Sequence, residues 1–332
     1  IVTNTREWLK NHFACVLISA SLIACMLISI SLIFYYHLTC NNTAHAEAVL
    51  MDNGGSGWEI QWTTAMSRDM YAHHNAQGVA LLPDNRSFVL SGSNVLHKTN
   101  LTFASELLLD RAIPAQFAAE NFEHIGDISA AVYAGEALVF AAIENEPNTQ
   151  AKILTYTASN LTFRDACSIP QRHASFAAVD AAGNTGNAGN TTVYSSEYRD
   201  VTEIKRYAYP GCAELEPLRL RRDNKETMLT KVQGASVAGR TLFLTTDAVA
   251  FNRGNIFAVN MDTGDIELAM TLQIDGAAEM EGIEVFESNG CMFMVITLKL
   301  CSTPYAVQLM NPRETRETNK TMNTTNTTAE PV

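Results

Sequence analysis

A unit of about fifty residues recurs five times in this chain of 332 residues, and that restricts its fold more than any local motif. The first copy is Gly78-Val79-Ala80-Leu81-Leu82, the turn Pro83-Asp84-Asn85, then Ser87-Phe88-Val89-Leu90-Ser91. Later copies start at Asp127, Ala177, Gly234 and Gly282, so the steps are 49, 50, 57 and 48. Each pairs a small-residue strand with an apolar β-rich strand across a Gly/Asn/Asp turn, which is hairpin chemistry. Several units continue into a third strand, such as Lys152-Ile153-Leu154-Thr155-Tyr156 and Asn255-Ile256-Phe257-Ala258-Val259. Short strands at this period predict an all-β fold, a β-propeller of five blades, or of six if 101–120 hides one. Small residues suit the crowded innermost strands. Too little chain follows Gly282 for a whole blade, so Trp58-Glu59-Ile60-Gln61-Trp62 is expected to complete it and close the ring. A β-sandwich with chance regularity is the alternative fold.

Composition fits a packed domain: 47% of residues are hydrophobic and 17% charged. With 23 Lys+Arg against 35 Asp+Glu, the net charge of -12 argues against a nucleic-acid groove. Residues 13–36 are uncharged, FACVLISASLIACMLISISLIFYY. As a helix they would reach about 36 Å, enough for a hydrocarbon core of about 30 Å. Arg6 and Lys10 precede the run and the next basic residue is Arg68, which predicts a cytoplasmic N-terminus. The expected order is a cytoplasmic tail (1–12), open to extension because it begins at Ile1, a transmembrane signal anchor (13–36), a stalk (37–57), a propeller ectodomain (58–310) and a disordered, glycosylated tail (311–332). A cleavable signal peptide ending near Ala44-His45-Ala46 is the rival reading. The location expected is a secretory-pathway or cell-surface membrane, with the C-terminal domain lumenal or extracellular.

Asn-x-Ser/Thr sequons occur at Asn41, Asn85, Asn100, Asn160, Asn190, Asn319, Asn323 and Asn326, all after the span. Cys15 and Cys25 lie inside the span. Cys167 and Cys212 flank one repeat, and Cys291 and Cys301 flank one hairpin, so these four are disulfide candidates in an oxidising compartment. Cys40, left over in the stalk, is the candidate for a disulfide-linked dimer.

Aligned repeats put polar residues at matching places. Gln77, His124, Asp127, His173, Gln233 and Glu281 stand at or before first strands, and Glu144 and Asp247 at the ends of second strands. In a propeller such positions converge on the mouth of the central channel. Glu281, Asp127, Glu144 and Asp247 are hard oxygen donors, which suits calcium. Catalytic residues are not assigned, and Ser91 has no nucleophile-elbow context.

The Glu281-Gly282-Ile283 step, with Gln77-Gly78 and Gln233-Gly234, resembles the propeller superfamily of calcium-dependent lactonases and phosphotriesterases, strictosidine-synthase-like proteins and phytase-like esterase domains. That resemblance implies a calcium ion in the channel with Glu281 as a ligand. The asparagine ligands of the lactonase branch have no counterpart here. The leading expectation is a type II membrane glycoprotein whose propeller binds a small-molecule or protein ligand at the channel mouth. The alternatives are a calcium-dependent hydrolase of esters, lactones or phosphoesters, and a structural surface-coat glycoprotein.

Overall fold

A computed structural model describes residues 51–52, 59–65, 76–180, 191–247, 253–273, 278–300 and 303–311. The chain divides into two units, Ile1–Glu47 and Ala48–Val332, and every described residue belongs to the second. The expected tail and anchor, with Cys15, Cys25, Cys40 and Asn41, lie outside the described residues. Among the described residues no helix is long and apolar enough to cross a membrane.

In chain order come β1 (Met51–Asp52), β2 (Glu59–Ala65), then β3 (Ala76–Leu81), β4 (Ser87–Gly92), β5 (Val95–Asn100) and β6 (Ser105–Asp110). A one-turn helix α1 (Ala115–Ala118) leads to β7 (Phe122–Tyr133), β8 (Glu136–Asn145), β9 (Ala151–Thr157) and β10 (Phe163–Ile169). Next are β11 (Ala178–Val179), β12 (Thr191–Ser195), β13 (Glu203–Tyr209) and β14 (Ala213–Arg219), and a small hairpin of β15 (Arg221–Arg222) and β16 (Lys225–Glu226). Then follow β17 (Val232–Ala238), β18 (Thr241–Asp247), β19 (Arg253–Asn260) and β20 (Ile266–Gln273). The last are β21 (Ala278–Ser288), β22 (Cys291–Leu300) and β23 (Thr303–Asn311). Four sheets have four antiparallel strands, and a fifth has the same four plus β1 at its edge. The fold is all-β and β-propeller-like.

Strand β2 pairs with β23, so the N-terminal strand supplies the outer strand of the last sheet. Met51–Asp52, expected in the stalk, instead pair with Gln273 and Leu272. Residues 101–120 hold β6 and α1 and no additional sheet. Two-residue hairpin turns carry positive φ at both central positions, Ala134-Gly135 and Asn289-Gly290, the twist that matches flanking strands.

Each apolar cluster lies between neighbouring sheets. Val89, Leu96, Val139 and Leu154 join the first to the second; Phe140, Ile153, Val193 and Tyr207 the second to the third. Tyr194, Ile204, Leu244 and Val259 join the third to the fourth, and Ile256, Met270, Ile283 and Met294 the fourth to the fifth. Leu90, Phe88, Val295 and Phe286 return the fifth to the first. Both faces of a middle strand are therefore covered. That explains why β4 is buried throughout and reads as an apolar run rather than an alternation.

Cys167 on β10 and Cys212 in the β13–β14 turn form a disulfide across the second and third sheets, Cα–Cα 5.8 Å. Cys291 is a free thiol. Its expected partner, Cys301, lies outside the described residues.

First and third strands of the sheets run away from the face where β3, β7, β17 and β21 begin. Asn85 in the β3–β4 turn, Asn100 at the end of β5 and Asn160 in the β9–β10 turn therefore share the opposite face. The other sequon asparagines lie outside the described residues.

Candidate functional site

The innermost strands meet on one carboxylate. Asp127 Oδ1 accepts the N–H of Val79 at 3.1 Å and of Ile128 at 2.9 Å. Its Oδ2 accepts the N–H of Ala235 at 2.9 Å and of Ile283 at 3.1 Å. The Asp127 backbone adds a parallel bridge toward Phe176, with its N–H on Ser175 O at 2.8 Å. One residue thus ties β3, β7, β17, β21 and the approach to β11. Burial pushes the Asp127 carboxyl up to about 8, against the four N–H donors, which pull it down.

This arrangement accounts for the recurring glycines. A Cβ on Gly78, Gly234 or Gly282 would stand 2.5–2.6 Å from an Asp127 carboxylate oxygen. The register shifts at Ala76/Gly78, Val232/Gly234 and Met280/Ile283 are bulges that present those backbones to the axis. Hydroxyls of the second strands satisfy the bulged groups. Ser91 Oγ donates to Gly126 O (2.8 Å), Thr245 Oγ1 accepts from Gly234 N (2.8 Å) and donates to Glu281 O (2.6 Å), and Thr297 Oγ1 accepts from Gly282 N (2.7 Å). The Glu-Gly and Gln-Gly steps follow from this axial packing, which needs no ion.

On the side where the inner strands begin, a cavity of about 290 Å³ is lined by Gln77, His124, Glu144, His173, Gln233 and Glu281, together with Ser175, Tyr198 and Glu279. Six residues of the sequence-derived mouth set are therefore neighbours. Asp127, 1% exposed, belongs to the layer beneath. Asp247 stands behind the wall, accepting from Met280 N at 3.0 Å and Gln233 Nε2 at 3.3 Å. Ser175 and Tyr198 carry no repeat signal, because the third sheet's inner strand is only two residues long.

Glu144 Oε2 meets His173 Nδ1 at 3.1 Å and accepts the Ala174 N–H at 3.2 Å. Glu197 accepts the N–H groups of Arg172 at 3.0 Å and His173 at 2.9 Å, so the ends of two second strands clamp segment 172–174. Burial, then the carboxylates of Asp247, Glu279 and Glu281, raise the Tyr198 hydroxyl above its ordinary value. Burial likewise raises Asp247, and Glu279 adds to it. Gln77 is 8% exposed and lines the cavity; the buried side-chain atoms without a partner among the described residues are Thr99 Oγ1, Ser195 Oγ and Arg206 Nε, none of them in the cavity lining. On the far side of the Asp127 layer, burial and the Asp127 charge raise Glu284 well above the usual range; it bonds the Leu81 backbone and Ser236.

The four acids expected to share calcium do not surround one point. Asp127 has spent both oxygens on backbone donors, and Asp247 is turned to Met280 and Gln233. Among the described residues no group of three or more His, Cys, Asp or Glu is arranged to hold a metal.

No protein-family model matches the chain. No curated protein matches it either. Among solved structures, the glutaminyl cyclase of Myxococcus xanthus is similar at TM-score 0.52 and 12% identity, over 76% of this chain and 96% of that one. The GH43_1 enzyme from Xanthomonas citri complexed with xylose is similar at TM-score 0.48 and 8% identity, over 74% and 89%. The Neurospora crassa Pan2 WD40 domain gives 0.35 and 7%, over 71% and 63%. The likeness extends to the β-propeller fold and not to the lactonase, strictosidine-synthase-like or phytase-like families.

Proposed function

We propose that this chain is a membrane-anchored glycoprotein whose β-propeller domain, five blades with β1 an added edge strand, binds a small ligand at the mouth above Asp127. The observation that carries the reading is the cavity of about 290 Å³ in which Gln77, His124, Glu144, His173, Gln233 and Glu281 meet on the side where the inner strands begin. The cavity is floored by the Asp127 layer, which makes it a pocket rather than a through-channel. Uncharged residues 13–36 and the sequons support the anchor and a lumenal or extracellular domain. Asn85, Asn100 and Asn160 share the face opposite the mouth, so glycans there leave the mouth open.

Ligand-observed NMR of a chemically diverse fragment mixture tests this, with Ser175→Trp as the filled-cavity control. Fragments that bind the wild type and lose binding in Ser175→Trp are expected. Hits indifferent to that substitution, or none at all, would overturn the assignment.

A further inference from the structure

The chain contains one Arg-x-Arg-Arg run, Arg219-Leu220-Arg221-Arg222, followed by Asp223. The run enters the β15–β16 hairpin, which belongs to none of the five larger sheets and lies between β14 and β17. Residues 221–226 are all exposed, as is Arg219. Asp223 and Asn224 make the turn, with φ of 54° and 61°. Strand pairing is limited to Arg221 with Glu226 and Arg222 with Lys225. The base is held by the Arg221 N–H on Gly264 O at 2.9 Å and the Thr227 N–H on Leu220 O at 3.0 Å, and Leu220 is buried beneath it. The tip can therefore open without disturbing a larger sheet. So short a pairing at a surface tip is the low-stability end of a fold and a preferred place for proteolytic nicking.

We infer that the Arg222–Asp223 bond is a processing site for a serine endoprotease of the secretory pathway whose acidic subsites take arginine one, two and four residues before the cut. This goes beyond ligand binding at the mouth and rests on the domain being lumenal or extracellular. Arginine suits such subsites because its guanidinium is always charged and pairs with a carboxylate at two points. Arg219 meets Glu226 at 3.6 Å in an exposed pair, and Arg222 lies 5.6 Å from the Phe257 ring centre, contacts weak enough to exchange. Asp223 and Glu226 interleave with the basic residues, which disfavours a polyanion site on the same hairpin. Water adds across the peptide bond, leaving a carboxylate on Arg222 and an ammonium on Asp223. The pieces 1–222 and 223–332 stay together. Asp127 stands before the cut and bonds Ala235 and Ile283 after it, and β2 pairs with β23. The Cys167–Cys212 disulfide lies wholly before the cut and does not join them.

Incubation of the folded full chain with a recombinant subtilisin-type proprotein convertase, read by reducing gel, N-terminal sequencing and size exclusion, tests the inference. The result expected is a new N-terminus at Asp223, with both pieces eluting together at the volume of the uncut protein. Arg222→Ala should resist the cut. Arg219→Ala should be cut about tenfold or more slowly, as loss of a charged pairing implies. Both residues are exposed, so neither variant threatens the fold. No new N-terminus at Asp223, or one formed equally fast in Arg219→Ala, would overturn the site. An uncut wild type that binds heparin, and loses that binding in Arg222→Ala, would make the hairpin a polyanion site instead. Failure of the lumenal reading would show separately, as a chain from its native cells whose gel mobility deglycosylation does not shift. That result would remove the compartment, and the processing with it, even where the purified chain is cut.

Discussion

The carboxylate of Asp127 accepts the backbone N–H of Ile283, 156 residues further along the chain, at 3.1 Å. The same side chain holds Val79, 48 residues before it, and Ala235, 108 residues after. β2 on β23 closes the rim, and Asp127 closes the axis.

That axis leaves no room for a methyl group. Gly234→Ala and Gly282→Ala are each expected to destabilise the fold by about 1–3 kcal/mol or more through overpacking against Asp127. Urea unfolding measures it. A change below about 0.5 kcal/mol would mean the carboxylate is not where it is described.

Asp127 also sets a pH dependence. Its folded pKa of about 8 lies above the ordinary 3.8, so the folded state holds a proton that the unfolded state releases. The stabilisation is complete below pH 4 and is lost as pH rises through 8; Asp247 and Glu284, also raised, act in the same direction. Stability should fall between pH 5 and pH 8. Asp127→Asn, which cannot ionise, should flatten the slope. A wild type that gains stability over this window would contradict the burial.

The repeat made most of the fold legible. Alternating turn and strand chemistry gave the hairpins, and the shortage of residues after Gly282 pointed to a strand near 58–62 as the closing one. The repeat also brought Gln77, Gln233 and Glu281 to equal depth. It did not reveal what their neighbours' oxygens meet. Asp127 looks like a metal ligand in sequence because its partners are backbone N–H groups, which every residue but proline carries. Tyr198 was hidden because β11 is too short to carry a pattern.

The Cys167–Cys212 bond closes a loop with a sequence separation of 45, worth about 4 kcal/mol of lost unfolded-state entropy. The double variant Cys167→Ala, Cys212→Ala should lower the melting temperature by several degrees, and an unchanged value would show the bond does not form.

Chelation is expected to leave the melting temperature unchanged, since the axial acids are bonded to protein donors. A drop of several degrees in EDTA, reversed by calcium, would restore a bound ion to the account.

The central claim is that the mouth holds a ligand, and Gln77→Leu tests it most directly through two readings of one variant. Gln77 lines the cavity, so an apolar group of similar size there should change stability by less than about 1 kcal/mol in urea unfolding. The same variant should lose binding of the fragments that occupy the wild-type mouth. A Gln77→Leu protein that is destabilised by more than about 1 kcal/mol, yet binds those ligands as the wild type does, would make the amide structural and contradict the claim.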